Sequence, residues 1–239
     1  MPGAALLCVE SALRMGVGYV YLDSAKSVCQ DPRLSSAVIP YNDQTKLIPE
    51  FSAVVIGPGC GRKIVDQKGL KEKVKKILNL ETPVLLDADA LWWLAKNPQK
   101  LPSHWIISPH EGEAGRLLGV QSQNIQADRL GSALRLQKKF GCVVLLKGYR
   151  SLLVNSLGEV FQITSGDVTL AKAGTGDVLS GMMGSLLAQG MPSDVAVALG
   201  TYIHGRMSLK WKQKGHHVFT LEASDLLALI EEVIADLDS

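Results

Sequence analysis

Apolar residues in this chain come in short unbroken runs, each closed by a turn cluster and followed by a longer segment with helical spacing. Ala53 to Ile56, Val84 to Leu86, Trp105 to Ile107 and Val143 to Leu146 are such runs. A short, continuously apolar run bounded by turn residues fits a strand buried on both faces. Between them, Ile64 to Leu78, Ala90 to Ala95, Ala114 to Leu118 and Ala127 to Lys139 carry helical periodicity. That alternation predicts βαβ units and an α/β fold, with a mostly parallel central sheet and helices on both faces. Ahead of it, Gly3 to Met15 reads as a helix with Gly16 as its C-cap, and Gly18 to Leu22 as a strand. Further on, Ser151 to Val154 and Glu159 to Ile163 read as strands joined through Asn155-Ser156-Leu157-Gly158, a hairpin signal. From Thr175 onward the pattern is helical, with breaks at Gly190-Met191-Pro192 and Lys214-Gly215-His216. Neither a repeat nor a low-complexity linker interrupts it, so residues 1–239 read as one domain.

Composition narrows the function classes. Of 239 residues, 46% are hydrophobic and 20% charged, and the mean hydropathy is +0.14, which suits a chain with ample core. The net charge of +2 sets up no strong field toward nucleic acid or an anionic membrane, and neither is expected as a partner. The densest basic stretch, Lys68 to Lys76, alternates with apolar residues and reads as a solvated helix face. Cys8, Cys29, Cys60 and Cys142 form no CxxC pair and read as reduced thiols. No apolar run reaches the roughly 18–20 residues of a membrane span. Residues 178–199 come nearest but are broken from Gln189 to Asp194. With no basic segment ahead of the first apolar stretch to mark a signal peptide, the reading places the chain in the cytoplasm.

The most informative stretch is Ala173-Gly174-Thr175-Gly176-Asp177, followed at once by the apolar, small-residue pattern Val178-Leu179-Ser180-Gly181-Met182-Met183. A glycine turn feeding a helix start leaves backbone N–H groups without internal partners and, with the helix dipole, makes an anion site. Asp177 falls inside the first turn, beside that anion. Two readings are open. First turns favour Asp for dipole reasons alone. Next to a phosphate, however, a carboxylate is repelled, and a base that takes a proton from a hydroxyl as phosphate arrives would justify it.

Four other motifs sit at the ends of predicted strands: Gly57-Pro58-Gly59-Cys60-Gly61, Asp87-Ala88-Asp89-Ala90-Leu91, Ser108-Pro109-His110-Glu111-Gly112-Glu113 and Leu145-Leu146-Lys147-Gly148. Open α/β sheets bind ligands beyond the C-terminal ends of their strands, so all five segments converge on one cleft. The glycines read as a tight turn, which also lets backbone approach a ligand closely; of Asp87 and Asp89, one reads either as orienting the site through water or a metal or as a helix N-cap. Lys147 at a strand end reads as a solvated lysine or a nucleotide contact. Glu111 and Glu113 read as first-turn acids, Glu113 also as an organiser of Mg2+ or water. His204 reads as a packing residue. His216-His217 is too isolated to argue for a metal.

The ordered set of GPG-x-G, DADAL, SPHEGE, LLKG and GTGD resembles the ADP- or ATP-dependent (S)-NAD(P)H-hydrate dehydratases of the ribokinase-like superfamily, over nearly the whole chain. GTGD is shared across the superfamily; the other four are more specific. The resemblance implies a three-layer ribokinase-like fold. It implies dehydration of the S-epimer of hydrated NADH or NADPH, with ADP or ATP as co-substrate and Mg2+. Asp177 is then the catalytic base, and Ala4, Gly59, Gly61, His110 and Asp177 line the hydrated-cofactor site. Lys147, Gly148, Tyr149, Arg150 and Ser151 contact the nucleotide, with Gly174, Thr175 and Gly176 giving N–H groups to its phosphoryl. An NAD(P)H-hydrate epimerase is an implied partner.

This chain departs from the family pattern at three places. Tyr149-Arg150 stands where small residues usually follow Lys-Gly, and Trp92 where Asn is usual. A strand and Gly/Ser-rich loop normally precede the helix that opens here at Pro2. A missing strand would leave an unpaired sheet edge, from which a homo-oligomer is expected. Two competing functions are a kinase of the same fold acting on a vitamin-precursor alcohol, which would release a stable phosphorylated product, and a catalytically inactive nucleotide-binding scaffold.

Overall fold

The structure is a computed structural model that describes residues 2–24, 26–41, 51–78 and 81–238. The departure read ahead of the first helix, a missing strand, lies outside them. Among the described residues, six strands form the main sheet in sequence order: β3 (Val54–Ile56), β4 (Val84–Leu86), β5 (Ile106–Ile107), β6 (Val143–Leu146), β7 (Ser151–Val154) and β8 (Val160–Ile163). Pairs from β3 through β6 are parallel; β6–β7 and β7–β8 are antiparallel. The hairpin turn forms as expected. Asn155 Oδ1 accepts the N–H groups of Leu157 (3.1 Å) and Glu159 (2.9 Å), and Gly158 N–H closes the turn on Asn155 O (3.0 Å).

The period of two decides the layers. Leu85, Ile106, Val143, Leu145 and Leu153 point to one face. There they pack against α8 (Thr175–Ala188), α9 (Ser193–Gln213) and α10 (Ala223–Asp238). Their neighbours Val84, Leu86, Ile107, Val144, Leu146, Leu152 and Val154 point to the other. There they meet α3 (Ile64–Ile77), α4 (Asp89–Lys96), α5 (Glu111–Leu118), α6 (Ser122–Ala127) and α7 (Arg129–Phe140). Helix α1 (Pro2–Arg14) lies along α8, where the two backbones touch: a Cβ on Gly181 would stand 2.0 Å from Cys8 O.

Three local differences from the sequence reading have physical causes. β1 (Val20–Leu22) pairs not with the main sheet but, in parallel, with β2 (Val38–Pro40). β2 is three residues ending in Pro, too short to leave a pattern. A four-residue helix, α2 (Lys26–Cys29), lies between them. The helix expected from Ala127 to Lys139 is α7, which starts at Arg129, and α6 ahead of it is an additional helix; the break falls at Asp128, which sits at φ −141° and whose carboxylate accepts Gly131 N–H (2.8 Å) to start α7. No helix among the described residues is long and apolar enough to cross a membrane, and all four cysteines are free.

Candidate active site

Backbone bonds that run on past the parallel strands gather the motifs. Asp87 N–H donates to Ile56 O (3.0 Å), Ser108 N–H to Leu86 O (3.2 Å) and Lys147 N–H to Pro109 O (2.8 Å). The ends of β3, β4, β5 and β6 are thereby stitched into one rim, and the N-terminus of α8 faces it. The approach between β3 and β4 is closest at Gly57. Its φ is +132°, and a Cβ there would stand 1.7 Å from Asp87 O, so only glycine fits.

At the start of α8, Gly174 takes a left-handed conformation (φ 90°) as N-cap. A Cβ at Gly174 would meet Ala223 and Leu7 side chains at 2.9 Å, which fixes the turn against α10 and α1. Thr175 is turned inward: its hydroxyl proton is shared between the carbonyls of Leu170 (2.8 Å) and Lys172 (2.9 Å), and its N–H points to Lys172 O (3.4 Å). Val178 N–H begins the helical ladder on Gly174 O (3.1 Å). The first-turn donors left without an acceptor in the helix are therefore Gly176 N–H and Asp177 N–H. Asp177 joins Gly176 as a donor that the pentapeptide alone did not reveal. Behind the turn lies buried His204 of α9, whose ring burial holds down to about 4, hence neutral.

A charge cluster lies under these donors. Lys147 is no solvated strand-end lysine. Its ammonium meets Asp87 Oδ1 at 2.7 Å, the two side chains being 17% and 2% exposed. It also stands 3.5 Å from where a Gly176 Cβ would be. Asp87 Oδ2 accepts a hydrogen bond from Ser180 Oγ at 2.7 Å. Ser180 follows Asp177 by three residues, so both occupy the same face of α8. The sequence reading did not single out Ser180, one of three buried hydroxyl residues of α8 with Thr175 and Ser185.

One lysine among three carboxylates leaves an excess of negative charge in a partly dry site. The pKa values follow. Burial first, and then Asp87, push Asp177 up to about 6 against the pull of Lys147. Burial, again with Asp87, pushes Glu113 up to about 7. Burial alone would lower Lys147, but Asp87 and Glu113 reverse that and raise it. Cys8 of α1 borders the cluster, and burial together with Asp177 raises its thiol far above the usual range, so it stays neutral.

His110 opens α5 as its N-cap. Its Nδ1 accepts Gly112 N–H (3.0 Å), and buried Glu113 returns the cap, Oε2 accepting His110 N–H (2.9 Å). Both oxygens of Glu113 therefore face His110, since Oε1 lies 3.5 Å from its Nε2. Among the described residues, no group of three or more His, Cys, Asp or Glu is placed to hold a metal ion. Mg2+ keeps several waters and is commonly held by one or two carboxylates together with substrate phosphates. This donor set suits an ion that arrives on a nucleotide.

A test of the buried charge follows from Glu113. Gln at 113 keeps an oxygen for the His110 N–H but cannot ionise. Below the ordinary carboxylate range, folding leaves the Glu113 proton undisturbed. Between there and about 7, the unfolded chain releases the proton that the fold retains, so wild-type stability falls as pH rises. Glu113→Gln is therefore expected to gain on wild type from pH 4.5 to 7 by on the order of 1–3 kcal/mol, then hold level. Melting curves across that range check it; a pH-independent difference refutes it.

The other predicted residues are placed as follows. Gly61 N–H is taken by Asp89 Oδ2 (2.9 Å), whose Oδ1 pairs with Arg62 Nε (2.6 Å), so this glycine braces the loop from within. Gly59 lies in the same β3–α3 loop. Ala4 is buried in α1. In the turn after Lys147, Gly148 backs onto the Arg129 guanidinium, and Ser151 Oγ donates to Gly148 O (3.0 Å). Tyr149 is 71% exposed with the Arg150 guanidinium over its ring, and Arg150 takes a left-handed φ of 52°. Arg129 is held by Glu111 and donates to Leu146 O (3.2 Å), which buttresses this turn. A cavity of about 370 Å³ bordered by Glu81, His104, Asn155 and Asp194 opens at the opposite ends of the strands and includes none of these residues.

Against known proteins, residues 1–232 match the family model described as NAD(P)H-hydrate dehydratase. The chain is 33% identical over 241 residues to the bifunctional NAD(P)H-hydrate repair enzyme of Escherichia coli, covering 97% of this chain and 45% of that protein. It is 33% identical over 215 residues to the ADP-dependent (S)-NAD(P)H-hydrate dehydratase of Neisseria meningitidis, covering 86% of this chain and 71% of that one. This chain thus spans about half the length of the bifunctional relatives it matches. Among solved structures, the ADP/ATP-dependent NAD(P)H-hydrate dehydratase of Bacillus subtilis, co-crystallised with ATP and Mg2+, superposes with a TM-score of 0.88 at 30% identity, covering 99% of this chain and 85% of that one.

Proposed function

This chain belongs to the NAD(P)H-hydrate dehydratase family, and from that premise we propose that it dehydrates the S-epimer of hydrated NADH or NADPH at the expense of ADP or ATP, taken as the Mg2+ complex. The observation that carries the proposal is the position of Asp177. It is a carboxylate raised to about 6, beside two unpaired N–H donors and the Lys147 ammonium. Nothing in the packing of α8 requires a charge there.

The chemistry follows from those groups. Asp177 takes the proton of the ring hydroxyl as the hydroxyl oxygen forms a bond to the terminal phosphorus and the nucleotide leaves with one phosphate fewer. Gly176 N–H, Asp177 N–H and Lys147 hold the transferring group and its developing charge. The phosphate ester is a better leaving group than hydroxide. The ring nitrogen's lone pair expels it, and loss of a proton from the neighbouring carbon completes the double bond of the dihydronicotinamide. The net reaction consumes hydrated cofactor and nucleotide and yields NAD(P)H, phosphate and the shortened nucleotide.

We propose further that an NAD(P)H-hydrate epimerase, on a separate chain or domain, supplies the S-epimer, that the protein acts in the cytoplasm, and that it self-associates. Nucleotide binding is the first measurable consequence. At a hundred times its Kd, a ligand that binds only the native state adds about 2.7 kcal/mol, which for a chain of this size raises Tm by roughly 5–10 °C. Thermal melts with Mg2+ and ADP or ATP are expected to show it, along with nucleotide-dependent return of dihydronicotinamide absorbance from hydrated NADH. An unmoved Tm at millimolar nucleotide refutes the proposal, and accumulation of a stable phosphorylated product makes the protein a kinase instead.

A further inference from the structure

Asp87 sits at the centre of the charge cluster, yet the phosphoryl chemistry above does not require it to touch any reactant. We propose that Asp87 is a positioning residue: clamped by Ser180 on one oxygen, it holds the Lys147 ammonium with the other, so that the cation faces the Gly176–Asp177 donors where the phosphoryl group is transferred. The inference rests on the phosphoryl-transfer reading and adds the residues that make it geometrically possible.

Three observations carry it. The first is the hydrogen-bond account. Lys147 has three N–H donors, one of which goes to Asp87 at 2.7 Å. Among the described residues no second acceptor lies within hydrogen-bonding distance, so the rest of the ammonium is free for a ligand beside Gly176. Asp87 itself is saturated differently: Oδ2 takes the Ser180 hydroxyl at 2.7 Å in a fully buried contact, which prevents the carboxylate from rotating away from Lys147.

The second is the backbone. Ala88, directly after Asp87, adopts φ 49° and ψ −116°, a conformation L residues rarely take. Its neighbour in space, Gly57, has given up its side chain to let Asp87 O approach. Both features serve one result, an Asp87 side chain turned inward under α8. Strain that persists at a buried charge points to function, since a buried ion pair is weak evidence for stability and an apolar pair of similar volume would fold as well or better.

The third is electrostatic. Asp177 is faced by Asp87 from the end of β4, by Lys147 from the end of β6, by Asp89 from α4 and by Cys8 from α1. Asp87 is the foremost of the like charges raising it. Removing that charge should lower the pH at which Asp177 becomes a base.

The test compares wild type with Asp87→Asn and, as a milder variant that leaves the carboxylate in place, Ser180→Ala. Amine labelling of the intact protein, read at Lys147 by mass spectrometry, needs no substrate. In Asp87→Asn the lysine loses its carboxylate partner and its pKa falls, so labelling at mildly alkaline pH should rise about three- to tenfold, and MgATP or MgADP should protect Lys147 in wild type. Turnover of hydrated NADH should fall on the order of 10–100-fold in kcat for Asp87→Asn and severalfold for Ser180→Ala. The double variant should be no worse than Asp87→Asn alone, because both act through one contact. The acid limb of the rate profile should move to lower pH in Asp87→Asn. Unchanged labelling, absence of nucleotide protection, or a folded Asp87→Asn variant with kcat within twofold of wild type overturns the proposal. If wild type fails to turn over the hydrate while labelling and protection behave as expected, the reaction assignment fails and the positioning role stands.

Discussion

Asp177→Asn is expected to lower turnover of hydrated NADH by on the order of 10²–10⁴ while nucleotide-induced stabilisation survives. Asn retains the shape of the side chain, the helix start and both N–H donors, so the anion site remains; only the ability to accept the hydroxyl proton is lost. The sign of the pH dependence follows from the raised pKa. The base works when ionised, so wild-type kcat/KM should climb with pH up to about 6 and level off above it, with at most a tenfold gain per unit on the limb. The Asn variant should lack that limb. Steady-state rates across pH 5 to 8 check both points. A variant that keeps near-normal turnover would remove Asp177 from the chemistry. A variant that also loses nucleotide stabilisation would mean the carboxylate matters for the fold of the turn.

The second large effect is structural. Gly57→Ala places a methyl group 1.7 Å from Asp87 O, well inside contact distance, at a φ of +132° that alanine resists. The clash is with backbone, not with the end of a flexible side chain, and Ala90 Cβ at 3.2 Å closes the other direction. The ends of β3 and β4 must separate. That should cost on the order of 3–5 kcal/mol, or about 10 °C in Tm. The folded fraction should show further loss of activity, because Asp87 moves with its own carbonyl. A thermal melt and a rate measured well below Tm separate the two losses. A variant within about 1 kcal/mol of wild type would contradict the close approach.

Much of this protein was legible from its residues. The runs at Val84 to Leu86 and Val143 to Leu146 are apolar throughout because the sheet is covered on both faces, and their alternate residues do divide between two cores. The glycine turn before Thr175 does start a helix, and the GPG, DADAL, SPHEGE and LLKG segments do meet at one rim. These features are local. A strand declares itself by composition over a few residues, and a helix start by a glycine or a capping acid. The rule that ligands gather at strand C-termini then needs only the order of elements.

What the sequence could not show are facts of distance and dielectric. Nothing in the spacing says that Lys147 pairs with Asp87, 60 residues away, or that Ser180, 93 residues away, holds the other oxygen. Nor does it say that Thr175 and Gly61 spend donors internally while Asp177 N–H is left open. A strand-end lysine in isolation is solvated. Only when three loops close over it does burial make its partners obligatory and push Asp177 and Glu113 upward together. Local patterns specify elements because backbone conformation depends on near neighbours. Which charges share a dry space depends on how those elements pack, and that the tertiary structure alone decided.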